Sequence, residues 1–232
     1  MSSPKIPLFD IDWTLLKGGE SNKIHHDAFD FALHTVYNQP TASESEAMAQ
    51  GKIDTQILIE VIKLHGVSEE EAKLKMPQAV DAMTDYFRKH ADEGRYEPMT
   101  GVQELLSDLK EKGLPLGLLT GNVEAIGWEK LKRAGIKDFF SFGAFGSMAY
   151  RRVDLIEIAA QEAGKVLGKE VQTHDLVIIG DSPLDIACAR DGGISVIAVG
   201  AGDYKSHELT HADLTLESLE EKDKVLKFLK LD

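Results

Sequence analysis

Ile6-Pro7-Leu8-Phe9-Asp10-Ile11-Asp12-Trp13-Thr14 is the stretch on which the reading of this chain turns. It is apolar as far as Phe9, too short for a helix of its own, and it ends in two carboxylates one residue apart. A short apolar run with an acidic end suits a buried strand that emerges at the edge of a sheet. In an extended chain Asp10 and Asp12 point the same way, and two like charges at one spot need a cation or a reacting proton to be tolerable. An ordinary acidic loop is the plain alternative.

Working outward, residues 24–37, 53–65 and 68–89 carry helical periodicity, and Ser68 with Glu71 three residues later reads as a capping box. After Glu97-Pro98 the rhythm changes to alternation. Helices are expected over 102–112, 123–134, 153–167 and 183–190, with a closing helix over 218–230. Strands are expected over 114–119, 140–145, 176–179 and 194–199. Such alternation predicts an α/β fold, a doubly wound parallel sheet with helices on both faces. The first strand is cut off from its sheet by a block of helices, which predicts an inserted all-helical domain. The expected division is an α/β core of residues 1–16 and 98–232 and an insertion of residues 17–97, joined near Leu16-Lys17-Gly18-Gly19 and Tyr96-Glu97-Pro98.

With 232 residues, 43% of them hydrophobic, the chain can bury a core of that size. A formal charge of −13 argues against nucleic acid or an anionic membrane as partner. An anionic small molecule stays compatible, because a metal ion inverts the sign inside one pocket. No run approaches the roughly 18 apolar residues of a membrane span, and Met1 to Pro7 lack the layout of a secretory signal, so the cytoplasm is the expected location. Cys188, the single cysteine, excludes an intramolecular disulfide and a thiolate zinc cluster and reads as a core residue.

Ligands of doubly wound sheets bind beyond the carboxyl ends of the strands, so the polar residues that follow each apolar run should converge. After Asp10 and Asp12 comes Thr120-Gly121-Asn122, at a junction of strand and helix where free backbone N–H groups favour an anion, although Thr and Asn are also common helix caps. Arg151-Arg152 follows the next strand; a guanidinium grips phosphate oxygens in a fork, or is simply a solvated charge. In Gly180-Asp181-Ser182-Pro183-Leu184-Asp185, Ser182 reads as an N-cap and Pro183 as the first helical residue. Asp181 and Asp185 then face the same mouth and offer hard oxygen ligands for Mg²⁺. His25-His26 is not expected to bind metal, since neighbours on a helix diverge, and Glu69-Glu70-Glu71 reads as a first helical turn.

In this order the motifs D-x-D-x-T, T-G-N, a basic residue and G-D-x-x-x-D resemble those of the haloacid dehalogenase superfamily of hydrolases, over essentially the whole chain. The resemblance implies a Rossmann-like core with a helical cap. It implies that Asp10 attacks phosphorus to form an aspartyl-phosphate and that Asp12 protonates the leaving oxygen, then activates water. Thr120 and a basic residue would hold the phosphoryl group, with Thr14, Gly121 and Asn122 near the substrate. Asp10, the backbone carbonyl of Asp12 and Asp181 would hold Mg²⁺, with Asp185 close behind. The basic residue is usually lysine; here Arg152 is the expected equivalent in preference to Arg151. Trp13 stands where many members have glycine.

The insertion is similar to that of the phosphoglycolate phosphatase and phosphoglucomutase branch. Gly51-Lys52-Ile53-Asp54 looks like its G-[R/K]-T-D element, which implies substrate contacts for Lys52 and Asp54. A glycine turn followed by an Asp N-cap accounts for the same residues. The expected function is Mg²⁺-dependent hydrolysis of a small phosphorylated metabolite, with a phosphosugar mutase as the nearest alternative. Asp12 argues against a dehalogenase, which needs no acid for a leaving alkoxide, and a silent binding protein would be expected to have lost a motif residue.

Overall fold

The computed structural model describes residues 4–47 and 51–231. Its six strands are β1 (Ile6–Phe9), β2 (Leu116–Thr120), β3 (Phe140–Phe145), β4 (Leu176–Gly180), β5 (Ser195–Val199) and β6 (Leu214–Leu216). They form one sheet in the order β3-β2-β1-β4-β5-β6, with every neighbouring pair parallel. β1, β2 and β4 are buried at every residue, as strands covered on both faces must be.

Side-chain alternation divides the core into two layers. Phe9, Leu118, Ile179 and Ile197 face one side, under α4 (Val102–Glu111), α5 (Glu124–Arg133) and α8 (Lys222–Phe228). Leu8, Leu119, Ile178 and Val196 face the other, under α6 (Asp154–Leu167) and α7 (Pro183–Asp191). The sheet is therefore doubly wound. The helices α1 (Glu20–Thr35), α2 (Asp54–Leu64) and α3 (Glu69–His90) come between β1 and β2 and build a third cluster around Phe29, Leu33, Leu58, Met83 and Phe87. Val123 and Ile126 at the start of α5 complete that cluster, so the helical block rests on one helix of the sheet layer. The two passages of chain that lead into and out of the block run side by side: Lys17 N–H donates to Glu97 O and Met99 N–H to Leu15 O, both at 2.9 Å.

Four local readings change. β1 stops at Phe9, and the chain then turns, with Leu15 and Leu16 N–H both donating to Ile11 O and Trp13 at φ +61°, so Asp10 and Asp12 are not side by side on an extended strand. The Ser68 hydroxyl accepts from Glu71 N–H at 3.1 Å, but the Glu71 carboxylate takes Lys75 instead of closing the box. β6, three residues at the sheet edge, has too little periodicity to be read from sequence. The closing helix starts at Lys222, because a tight turn occupies residues 218–221, where the Ser218 hydroxyl accepts from Glu220 N–H. Among the described residues no helix is long and apolar enough to cross a membrane.

Candidate active site

Register brings the acidic residues together. Phe9 pairs with Leu118 on one side and Ile179 on the other, so Asp10, Thr120 and Asp181 emerge at one edge, where the connections leave β1 in opposite directions. Asp10 N–H still donates to Ile179 O at 2.9 Å, which holds its carboxylate at the mouth. Carboxylate oxygens of Asp10, Asp181 and Asp185 lie within 4.8 Å of one another, all three buried.

The turn into α7 aims the third of these. The Ser182 hydroxyl accepts from Asp185 N–H, while Asp185 Oδ2 accepts from the Ser182 hydroxyl at 2.6 Å and from its N–H at 3.1 Å, a reciprocal box opened by Pro183. Gly180 is required there: a Cβ would stand 2.3 Å from the Asp185 carboxyl carbon. Of the two arginines, Arg151 is exposed and pairs with Asp154. Arg152 is buried, and its Nη2 lies 3.1 Å from Asp10 and 2.6 Å from Asp185.

Burial pushes the Asp10 carboxyl up, Arg152 pulls it down, and neighbouring Asp185 leaves it at about 6. Burial, Asp185 and Asp10 push Asp181 further, to about 8. Burial opposes the Arg152 charge, but Asp185 and Asp10 outweigh it and hold the guanidinium protonated. With all three carboxylates ionised, one guanidinium would leave two negative charges unbalanced, which is why the metal-free cluster holds on to protons. A cluster made only of carboxylate oxygens, with that charge, fits a hard divalent cation held by Asp10, Asp181 and Asp185.

Asp12 has a different setting. Both of its oxygens take Lys130 Nζ at 2.8 Å, and Oδ2 also accepts from Asn122 Nδ2 at 2.8 Å. Burial raises its pKa, but Lys130, His25 and Asn122 together reverse the sign, and the carboxyl is held below its usual range. Lys130 was not among the residues expected here. The signal for it lay in α5, where it shares the buried stripe with Ile126, Gly127 and Leu131.

A cavity of about 240 Å³ lies above these groups, lined from the sheet edge by Asp10, Asp12, Asn122, Arg152 and Asp181 and from the helical block by His25, His26, Phe29 and Ile57. Two expected ligand contacts lie elsewhere. The Thr14 hydroxyl donates to Asp181 at 3.1 Å, and Thr14 is almost wholly buried outside the cavity lining, so it supports a carboxylate. Thr120 is fully buried, its hydroxyl accepting from Asn122 Nδ2 at 2.9 Å beside Asp10.

The Gly51-Lys52-Ile53-Asp54 stretch is docked against the sheet edge. Gly51 makes the turn at φ +77°, and its carbonyl accepts from Arg152 Nη1. Asp54 is the first residue of α2 rather than its N-cap, which is Ile53. Asp54 N–H donates to Gly121 O, and Oδ2 accepts from Val123 N–H at 2.7 Å and pairs with His25 Nε2 at 2.9 Å. Asp54 is thus engaged within the protein, and Lys52 pairs with Glu60 at 2.5 Å, although both border the cavity. Gly121 permits the docking, since a Cβ there would be 2.2 Å from Lys52 O. His25 and His26 border the cavity and hold the carboxylates of Asp54 and Glu44.

Residues 7–199 match the family model described as haloacid dehalogenase-like hydrolase. The chain belongs to that family. A 137-residue stretch is 32% identical to a phosphoglycolate phosphatase of Chromobacterium violaceum, covering 58% of this chain and 59% of that protein. The fold is similar to a predicted phosphatase from Clostridium acetobutylicum (TM-score 0.69, 24% identity, 97% of this chain and 100% of that one). It is likewise similar to the beta-phosphoglucomutase of Clostridium difficile (TM-score 0.71, 18% identity, 98% and 97%). Trp13, one of the two expected departures from the family pattern beside Arg152, stands at φ +61°, a conformation that glycine adopts without strain. The indole folds onto Gly18, where a Cβ would meet the ring at 2.2 Å.

Proposed function

We propose that this haloacid dehalogenase-like hydrolase is a phosphatase acting on a small phosphomonoester, with Asp10 as the nucleophile. The observation that carries the reading is the meeting of Asp10, Asp181, Asp185 and Arg152 beneath one cavity. A carboxylate is a weak nucleophile, so catalysis rests on in-line positioning and on neutralising the equatorial oxygens. Arg152, which lines the cavity, binds those oxygens while Asp10 attacks phosphorus. Mg²⁺ bound by Asp10, Asp181 and Asp185 would supply the remaining positive charge.

Asp12 borders the cavity and carries the proton traffic. At rest it is ionised, the form that takes a proton from water when the aspartyl-phosphate on Asp10 is hydrolysed. The charge of an arriving phosphate raises its pKa and favours the protonated form, which then serves the leaving oxygen. In this reading residues 17–97 form a cap, and the Gly51–Thr55 docking contacts describe its closed position. The substrate is a soluble phosphorylated metabolite of the cytoplasm, and phosphoglycolate is the first to test because a relative carries that name.

The experiment is a screen of phosphoglycolate, sugar phosphates and nucleoside monophosphates with Mg²⁺, reading release of inorganic phosphate. Turnover that disappears in Asp10→Asn supports hydrolysis; transfer to a second hydroxyl without phosphate release would point to a mutase. No turnover of any ester above the Asp10→Asn background would overturn the reading.

A further inference from the structure

Lys130 belongs to none of the four motif stretches, yet its side chain is fully buried. Its Nζ stands 2.8 Å from each oxygen of Asp12. Asp12 borders the cavity and Lys130 does not, so the ammonium grips the carboxylate from behind and leaves its front to a ligand. An ammonium is strongly hydrated, and burying one is unfavourable unless its donors are matched. Here they are matched: besides Asp12, Nζ reaches His25 Nδ1 at 3.3 Å and Asn22 Oδ1 at 3.5 Å, both on α1.

His25 continues the chain. With Nδ1 turned to the ammonium, Nε2 carries the hydrogen and donates to Asp54 on α2, 2.9 Å away. Asp54 in turn accepts from Val123 N–H, directly before the helix that carries Lys130. A chain of hydrogen bonds thereby runs from Asp12 through Lys130, α1 and α2 and ends on the backbone at the start of α5.

We propose that Lys130 is the positioning residue for Asp12, fixing the plane of its carboxylate against the leaving group while α1 is seated over the site. The inference rests on the phosphatase reading, because Lys130 acts through Asp12. A correctly aimed acid matters most when the leaving group is a poor one, and little when it departs unaided as an acidic phenol. Loss of the clamp should therefore depend on the ester, which loss of fold or of metal would not.

The test uses the full chain with Mg²⁺ and two esters, an alkyl phosphate turned over by the wild type and para-nitrophenyl phosphate. In Lys130→Met, kcat/KM, which reports only the steps through departure of the alcohol and not the shared hydrolysis of the aspartyl-phosphate, should fall by roughly 30-fold or more on the alkyl ester, against less than about 5-fold on the aryl ester. The Mg²⁺ concentration for half activity should stay within about 3-fold, since the clamp lies off the metal cluster. Lys130→Arg keeps the charge and should show the same selectivity with a smaller loss, which also serves should Lys130→Met not fold. Equal losses on both esters, or none, would overturn the inference while leaving the phosphatase reading intact. A wild type inert on both esters, or an Asp10→Asn variant that keeps turning them over, would remove the reading beneath it.

Discussion

Arg152 Nη1 donates to the carbonyl of Gly51 at 2.9 Å, so the guanidinium that faces Asp10 also holds the turn that leads into α2 of the helical block. Ligand binding and seating of that block therefore share one side chain. Arg152→Ala should lower kcat/KM by at least about 100-fold, the size of loss that follows removal of a charged donor from a phosphoryl site. Arg151→Ala, which removes only an exposed pair with Asp154, should stay within about 3-fold. Steady-state kinetics on one ester decides it; a larger loss in Arg151→Ala would assign the phosphoryl contact to the wrong arginine.

Asp10→Asn keeps the volume of the side chain and removes the nucleophile. Activity should drop below about a tenth of wild type and in practice to background, because no covalent step remains. In the wild type, removing the metal with a chelator should abolish turnover, and added Mg²⁺ should restore it. Residual activity above a tenth in Asp10→Asn would make the covalent route dispensable.

The raised carboxyls predict how pH and metal combine. Asp181 at about 8 and Asp10 at about 6 bind protons in the folded chain that an unfolded chain has released near 4. The metal-free protein therefore loses stability as pH rises from about 4 through 8 on account of these groups. A divalent cation must displace those protons, so its affinity and its stabilising effect should grow over the same range. Thermal unfolding at pH 5.5, 7 and 8.5 should show the increase in Tm on adding Mg²⁺ becoming larger at each step. A metal shift that is constant or shrinks with pH would mean that the cluster does not take up the cation. In Asp181→Asn the shift should be largely lost and the metal-free Tm at pH 8.5 should rise, since one buried charge is gone.

The parallel sheet was readable because its strands are buried on both faces and end abruptly in Asp10, Thr120 and Asp181, a pattern that short apolar runs show plainly. What escaped was whatever depends on helices meeting across the chain. Lys130 looks like one more surface charge in Trp128-Glu129-Lys130-Leu131-Lys132, and only the approach of α1 and of Asp12 makes it interior. His25 and Asp54 are likewise 29 positions apart, and their pairing follows from the docking of two helices rather than from any local spacing. Thr14 was misplaced for a related reason: the turn after Phe9 takes it under Asp181 instead of into the cavity.

Gly121 offers a test of the docked position that leaves every charged group in place. A methyl on its Cα would lie 2.2 Å from the carbonyl oxygen of Lys52, and the atom it meets is backbone. Neither side can relax cheaply, because Gly121 O accepts from Asp54 N–H at 2.9 Å and Thr55 Oγ1 is tied to Gly146 O and Ala149 O. Gly121→Ala should therefore lift residues 51–54 from the sheet edge, lowering stability by about 1–3 kcal/mol and activity by about 10-fold or more through loss of near-attack geometry. Gly113→Ala is the matched control: its Cβ meets nothing within 4 Å, so it carries only the local strain of a φ of +74°. Thermal unfolding and kcat/KM on both variants separate the effects. Wild-type activity in Gly121→Ala would show that the contact between Lys52 and Gly121 is not needed for a working site.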